Sequence, residues 1–258
     1  ICVHIISLDT LAQQLECTPP VATMESGTRD AVYGADGTIY TTVSAFNMVE
    51  APLRRLSPAT HQWDVLTQVT PGSKLVPSGD AQTIGFNAYP YTGGPVWGFV
   101  DVPTGGVVRR PFTGGGRIGV DRFGAQFAVP AGDGTHVFDD AYVQTGVIPN
   151  ADVYCLSYHP VERIAYSCSY NSNVVSAYNT NTLALVGSVA FDGSYVNDVQ
   201  LSRDGSLLMA LSSDGVRYYQ QYAPLQASPI SATANLNQVK VVTLSGSIGN
   251  GGALEYAI

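Results

Sequence analysis

One pattern recurs near opposite ends of the chain and limits the folds open to it: an alternating strand, a tight turn at Asp-Gly, and a second alternating strand. It reads DAVYGADGTIYTTVS from Asp30 and VNDVQLSRDGSLLMALSS from Val196. Alternation at period two predicts half-buried strands, and Asp-Gly supplies the positive φ of a tight hairpin. Weaker copies, GRIGVDRFGAQFAVP from Gly116 and VYCLSYHPVERIAYSC from Val153, place turns near positions 36, 123, 160 and 204. AQTIGFNAYPYTGGPVWGF reads as a divergent fifth copy. A second turn family is interleaved at LDTLA, SPATHQW, VPTGGVV and NTNTLAL, around Thr10, Thr60, Thr104 and Thr182. Two turn families sharing a period of roughly 40–50 residues predict a repeating unit of four strands.

A four-stranded unit of that size is a propeller blade, so the expected fold is all-β, a β-propeller of four-stranded antiparallel blades. Five full blades are expected at 28–66, 80–113, 116–149, 151–191 and 195 to about 232. CVHIISLDTLAQQLEC aligns with NVVSAYNTNTLALVGS, so residues 1–23 read as the outer strands of a partial blade, ahead of the propeller at 24–232. Leu8, Leu11 and Leu15 also recur at helical spacing with Ser7 as a cap, which leaves a helix as the alternative there. Strands within 233–258 either complete a sixth blade with the N-terminal pair, hiding sheet edges, or pair with a neighbouring subunit or domain. SPISATANLNQ, 228–238, suits the linker.

Over 153–219 the stretch SYNSNVVSAYNTNTLALVGSVAFDGSYVNDVQLSRDGSLLMALSS resembles the YVTN-type repeats of six- and seven-bladed propellers. That resemblance implies the fold, since its motifs specify turns rather than chemistry. Within it, YVNDVQLSRDG is similar to a segment of the calcium-dependent lactonase family, which implies Asn197 as a metal ligand facing the channel and Ca2+ as the cofactor of that reading. The family's early acidic ligand has no counterpart in a matching context, and its later Asp motif has none around Asp214. The other reading of Asn197 and Asp198 is that they satisfy backbone groups at the start of a strand. On that reading no cofactor is expected.

Cysteine spacing carries a geometric expectation. A hairpin turning over Pro160–Arg163 pairs His159 with Ile164 and so opposes Cys155 to Cys168; Cys2 and Cys17 bracket a second hairpin. Two such pairs point to disulfides and an oxidising compartment, with free buried thiols as the alternative. The four histidines, His4, His61, His136 and His159, fall in different units and read as solvated turn residues. GGGRIG at 114–119 lacks the Lys-Ser/Thr of a phosphate loop and reads as a blade connection.

Composition narrows function by exclusion. Charged residues are 12% of the 258, about half the usual share, and the formal net charge is -8 with Lys74 and Lys240 the lysines. A nucleic-acid surface would work against that field. No apolar run is long enough to span a bilayer. The chain starts at Ile1, so a processed or excised part of something longer is expected. Tyr89, Tyr91, Trp97, Tyr218, Tyr219 and Tyr222 cluster in or beside turns, where aromatics anchor partners at little entropic cost. The expected function is a non-enzymatic, extracellular or cell-surface module (periplasm or virion surface being the other placements) that binds a protein or glycan. A structural subunit of an extracellular polymer or virion appendage, self-assembling or tied to flanking domains, is the alternative. A calcium-dependent hydrolase is the second.

Overall fold

The computed structural model describes residues 3–6, 13–17, 25–45, 50–87, 96–111, 117–150, 153–169, 171–192, 195–202, 204–220, 226–227 and 246–247. The fold is all-β, with five antiparallel blades in a ring. Blade one is β3 (Glu25–Tyr33), β4 (Ile39–Ala45), β5 (Ala51–Leu56) and β6 (Trp63–Val69), after a separate two-stranded hairpin of β1 (Val3–Ile6) and β2 (Gln13–Cys17). Blade two is β7 (Lys74–Pro77), β8 (Thr83–Asn87), β9 (Val96–Asp101) and β10 (Gly106–Pro111). Blade three is β11 (Gly119–Val120), β12 (Gln126–Ala131), β13 (Gly134–Asp139) and β14 (Gln144–Ile148). Blade four is β15 (Val153–Tyr158), β16 (Ile164–Ser169), β17 (Val174–Asn179) and β18 (Leu185–Ala190). Blade five has three described strands, β19 (Val196–Leu201), β20 (Leu207–Ser212) and β21 (Gly215–Gln220). Among the described residues no helix is long and apolar enough to cross a membrane.

The first strand of each blade, β3, β7, β11, β15 and β19, is innermost, and successive inner strands touch. Adjacent blades pack on one another through apolar side chains. Leu75, Ile84 and Phe86 of blade two join Tyr40 and Leu53 of blade one. Trp97 and Phe99 of blade two pack on Ile118, Phe127 and Val129 of blade three. Ala128 meets Leu156, Tyr158 and Ala165 between blades three and four, and Phe191, Val199 and Leu208 close the interface of four with five. Each large side chain so buried contributes about 1.5–3 kcal/mol. Blade one also buries an ion pair, Arg54 Nη2 to Glu25 Oε1 at 2.6 Å.

The expected repeat is present with two differences. Blade two begins at Lys74, not at 80: its inner strand is only four residues, ends in Pro77, and turns at Asp80-Ala81 rather than Asp-Gly, with Ala81 at φ 56°. No sixth blade forms among the described residues, because β1 pairs only with β2, and β22 (Gln226–Ala227) pairs only with β23 (Gly246–Ser247). Gln13–Cys17 is a strand and not a helix, and its Cys17 lies opposite Val3; Cys2 and the side chain of Cys17 lie outside the described residues. The expected Cys155–Cys168 register is observed, and a disulfide joins the two at a Cα separation of 5.4 Å.

The outer turns reuse one geometry. His61, Gly105 and Leu183 each donate their backbone N–H four residues back, to Ser57, Asp101 and Asn179 respectively, and all three have positive φ. The Asp-Gly turns at 36–37 and 204–205 also match their expectation, with Gly37 at φ 81° and Gly205 at φ 76°. They differ in surroundings. A Cβ on Gly37 would find its nearest neighbour at 3.9 Å, whereas one on Gly205 would lie 2.3 Å from Nε2 of His159.

His159 is therefore a buried wedge between two blades rather than a solvated turn residue. Its Nδ1 accepts from the backbone N–H of Glu162 at 2.9 Å and of Val161 at 3.2 Å, which places the proton of the neutral ring on Nε2, toward Gly205. Burial holds its pKa below the ordinary histidine value, with Glu162 and Asp204 pulling the other way.

Two outcomes are expected. Gly37→Ala loses about 1 kcal/mol, the cost of left-handed backbone for a residue with a Cβ, while Gly205→Ala loses at least twice that because His159 must also move. Urea denaturation of the two variants measures the gap. Cys155→Ala/Cys168→Ala lowers stability by about 3 kcal/mol in the same assay.

Candidate functional site

Strand β19 answers for its two conspicuous ends separately. Asp204-Gly205 closes the hairpin at one end, where Asp204 accepts from the Ser202 hydroxyl at 2.6 Å and the Ser206 N–H at 3.1 Å. Those bonds push its carboxyl down to about 2. It is a corner of the sheet. Asn197 lies at the other end, roughly 20 Å away at the rise of an extended strand, and faces a cavity on the axis of the ring.

That cavity, about 650 Å³, is lined from all five blades. Three of its residues arrive by one device. In β19 the pairing runs Val196 with Ser212 and then Asp198 with Leu211, leaving Asn197 as an extra, unpaired residue. In β15 the same register shift falls between Val153 and Cys155, at Tyr154. In β3 it falls between Thr28 and Asp30 and isolates Arg29. Each bulged residue stands five positions before the first residue of its inner turn, Ser202, His159 and Gly34. A β-bulge adds local twist and re-aims a side chain, and here it does so at equivalent points of three blades.

One position further along sit Lys74, Cys155 and Asp198 on their inner strands, and Arg117 two residues ahead of β11. Arg117 crosses the axis. Its Nη1 donates to Asp198 Oδ2 at 2.6 Å and its Nη2 to the carbonyl of Leu75 at 3.4 Å. The Gln200 amide oxygen, turned toward the guanidinium, accepts from Nη1 at 2.7 Å. One side chain thus joins blades two, three and five and separates this cavity from a smaller one, about 210 Å³, beside His159 and Ser202 at the opposite end. Arg29 and Lys74 have no carboxylate within ion-pair distance among the described residues.

The aromatic expectations divide. Trp97 is a core residue, 2% exposed against Phe127 and Phe138, so it belongs to the blade-two/blade-three interface and not to a binding loop. The reason is that β9 is a strand whose inward face meets blade three. Tyr218 and Tyr219 are exposed, but on β21 at the rim of blade five, away from the cavity lining. Tyr89, Tyr91 and Tyr222 lie outside the described residues. His136 bridges Asp133 and Gln144 within blade three, His61 sits in an outer turn, and neither meets His159.

The calcium reading does not fit the residues present. Asn197 does face the channel, but Arg29, Lys74 and Arg117 face it too, and among the described lining residues the one acidic side chain, Asp198, is engaged by Arg117. A hard cation needs several converging anionic or carbonyl oxygens, and three cationic side chains oppose it. Asp214 is turned to Arg217, at 2.9 Å. No family model matches the chain, and no curated protein matches it.

The axial tie is testable by removal. Asp198→Ala leaves Arg117 half-buried without its partner and is expected to cost about 2 kcal/mol, between the values for exposed and fully buried pairs. Asp198→Asn, which keeps an acceptor oxygen, is expected to lose less. Thermal or urea unfolding of the two variants checks the order.

Proposed function

We propose that this protein is a non-enzymatic, extracellular binding module whose ligand is a glycan, taken at the Asn197 end of the ring. The carrying observation is that bulges in three blades deliver Arg29, Tyr154 and Asn197 to one cavity of about 650 Å³. That volume suits a small ligand or the end of a chain. Tyr154 offers a ring face, while the amides of Asn87 and Asn197 offer both donors and acceptors, the mixture a polyhydroxylated molecule needs. The Cys155–Cys168 bridge, next to Tyr154, supports an oxidising compartment and stiffens the strand that carries the bulge. A protein partner reached through Tyr218 and Tyr219 is the competing form of the same module. The alternative of assembly through 233–258 rests on residues almost wholly outside the described ones.

A glycan array probed with the labelled chain is the test. Binding to a defined set of saccharides that Tyr154→Ala/Asn197→Ala abolishes, and Tyr218→Ala/Tyr219→Ala leaves intact, is the expected result. Saccharide binding lost only in the second variant would move the site to the rim of blade five.

A further inference from the structure

We propose that the axial cavity takes an acidic sugar, a saccharide bearing a carboxylate or sulfate whose anionic group is held between Arg29 and Lys74. The inference rests on the glycan-binding reading of the same cavity and adds the ligand's charge.

The charge distribution leads to it. Across the protein acidic residues outnumber basic ones, 20 to 12, for a net charge of -8. Yet among the described residues the cavity is lined by Arg29, Lys74 and Arg117, with Asp198 the acidic one. The Arg117–Asp198 pair cancels internally at 2.6 Å. Two cations remain, from the inner strands of adjacent blades, β3 and β7, which are in contact. The neighbouring carboxylate, Asp30, is directed at backbone: its Oδ2 accepts from the N–H of Leu75 at 2.9 Å and its Oδ1 from the N–H of Ala31 at 3.0 Å.

Chance placement of basic residues on an acidic protein favours exposed pairs with nearby carboxylates, as with Arg55–Asp64 and Arg109–Glu50 at the rims. Here the reverse holds. A bulge interrupts the β3 ladder at Arg29, which forgoes backbone pairing to bring a guanidinium into a concave site. A guanidinium and an ammonium sharing a cavity repel each other until an anion bridges them, and Arg in particular presents a planar fork to carboxylate or sulfate oxygens. Tyr154, Asn87 and Asn197 line the same cavity, where the ring and hydroxyls of the sugar would lie.

The test is titration calorimetry of the full chain with D-glucuronate, glucose 6-sulfate, D-glucose and inorganic sulfate, each at low and high NaCl. The two sugar acids distinguish carboxylate from sulfate as the source of the charge. The expected result is that at least one acidic sugar binds about tenfold or more tightly than glucose, with an advantage that shrinks in salt. Arg29→Gln/Lys74→Gln, both at solvent-accessible positions with unfolding unchanged, is expected to erase that advantage while leaving weak glucose binding, and Tyr154→Ala to weaken acidic and neutral sugars alike. Glucose binding as tightly as the acids, through Tyr154, would overturn the charge inference and leave the glycan reading standing. Inorganic sulfate binding as tightly as the sugar acids, or no binding by any of the four, would overturn both.

Discussion

Arg117 is the contact on which the centre of this ring depends. A five-bladed ring brings five inner strands toward one axis, and their inward side chains must either fill the channel or leave it wet. Here a single guanidinium spans it, taking a carboxylate from blade five and a carbonyl from blade two while its own backbone N–H bonds Tyr154 of blade four at 3.1 Å. A charged group at that depth is tolerable because its donors are matched by oxygens on different strands. The tie thereby sets where the channel is closed, and so the floor of the larger cavity.

Around that tie the blades are joined by apolar surface, and this division of labour shapes the site. In blades two to five the residues three positions before the inner turn, Leu75, Ile118, Leu156 and Val199, are fully buried between blades, so they cannot vary without loss of core. The adjoining positions face the axis and are free to carry chemistry. The bulges at Arg29, Tyr154 and Asn197 exploit that freedom, trading one ladder pairing each for a side chain aimed into the cavity. Next to Tyr154 the Cys155–Cys168 bridge holds β15 to β16 where the ladder is interrupted. At the far end of the same strand, His159 fills the gap under Gly205.

Legibility in the sequence followed the range of the interaction. The hairpin around Pro160 could be counted residue by residue, and the count of cysteines back from its turn predicted the observed bridge. The short inner strand Lys74–Pro77 escaped because four residues ending in proline carry no alternation, and its turn replaces Gly with Ala81 at positive φ. Among the candidate site residues, Asn197 was visible through its neighbour Asp198 and the turn beyond. Arg29, Tyr154 and Lys74 were not singled out, although the regular offset from each inner turn was written in the chain. Trp97 read as a loop aromatic because nothing local distinguishes a strand facing solvent from one facing another blade.

By itself the sequence determined the strands, their tight turns, the four-strand period and one disulfide register, since period-two alternation, Asp-Gly geometry and hairpin counting all act between near neighbours. Only the tertiary structure decided that the ring has five blades, that Arg117 meets Asp198 across 81 residues, and that Arg29 and Lys74 share a cavity with Tyr154 and Asn197. The physical reason is that bulges and ring closure are set by how sheets twist and pack against one another, and that packing joins residues whose separation along the chain carries no periodic signal.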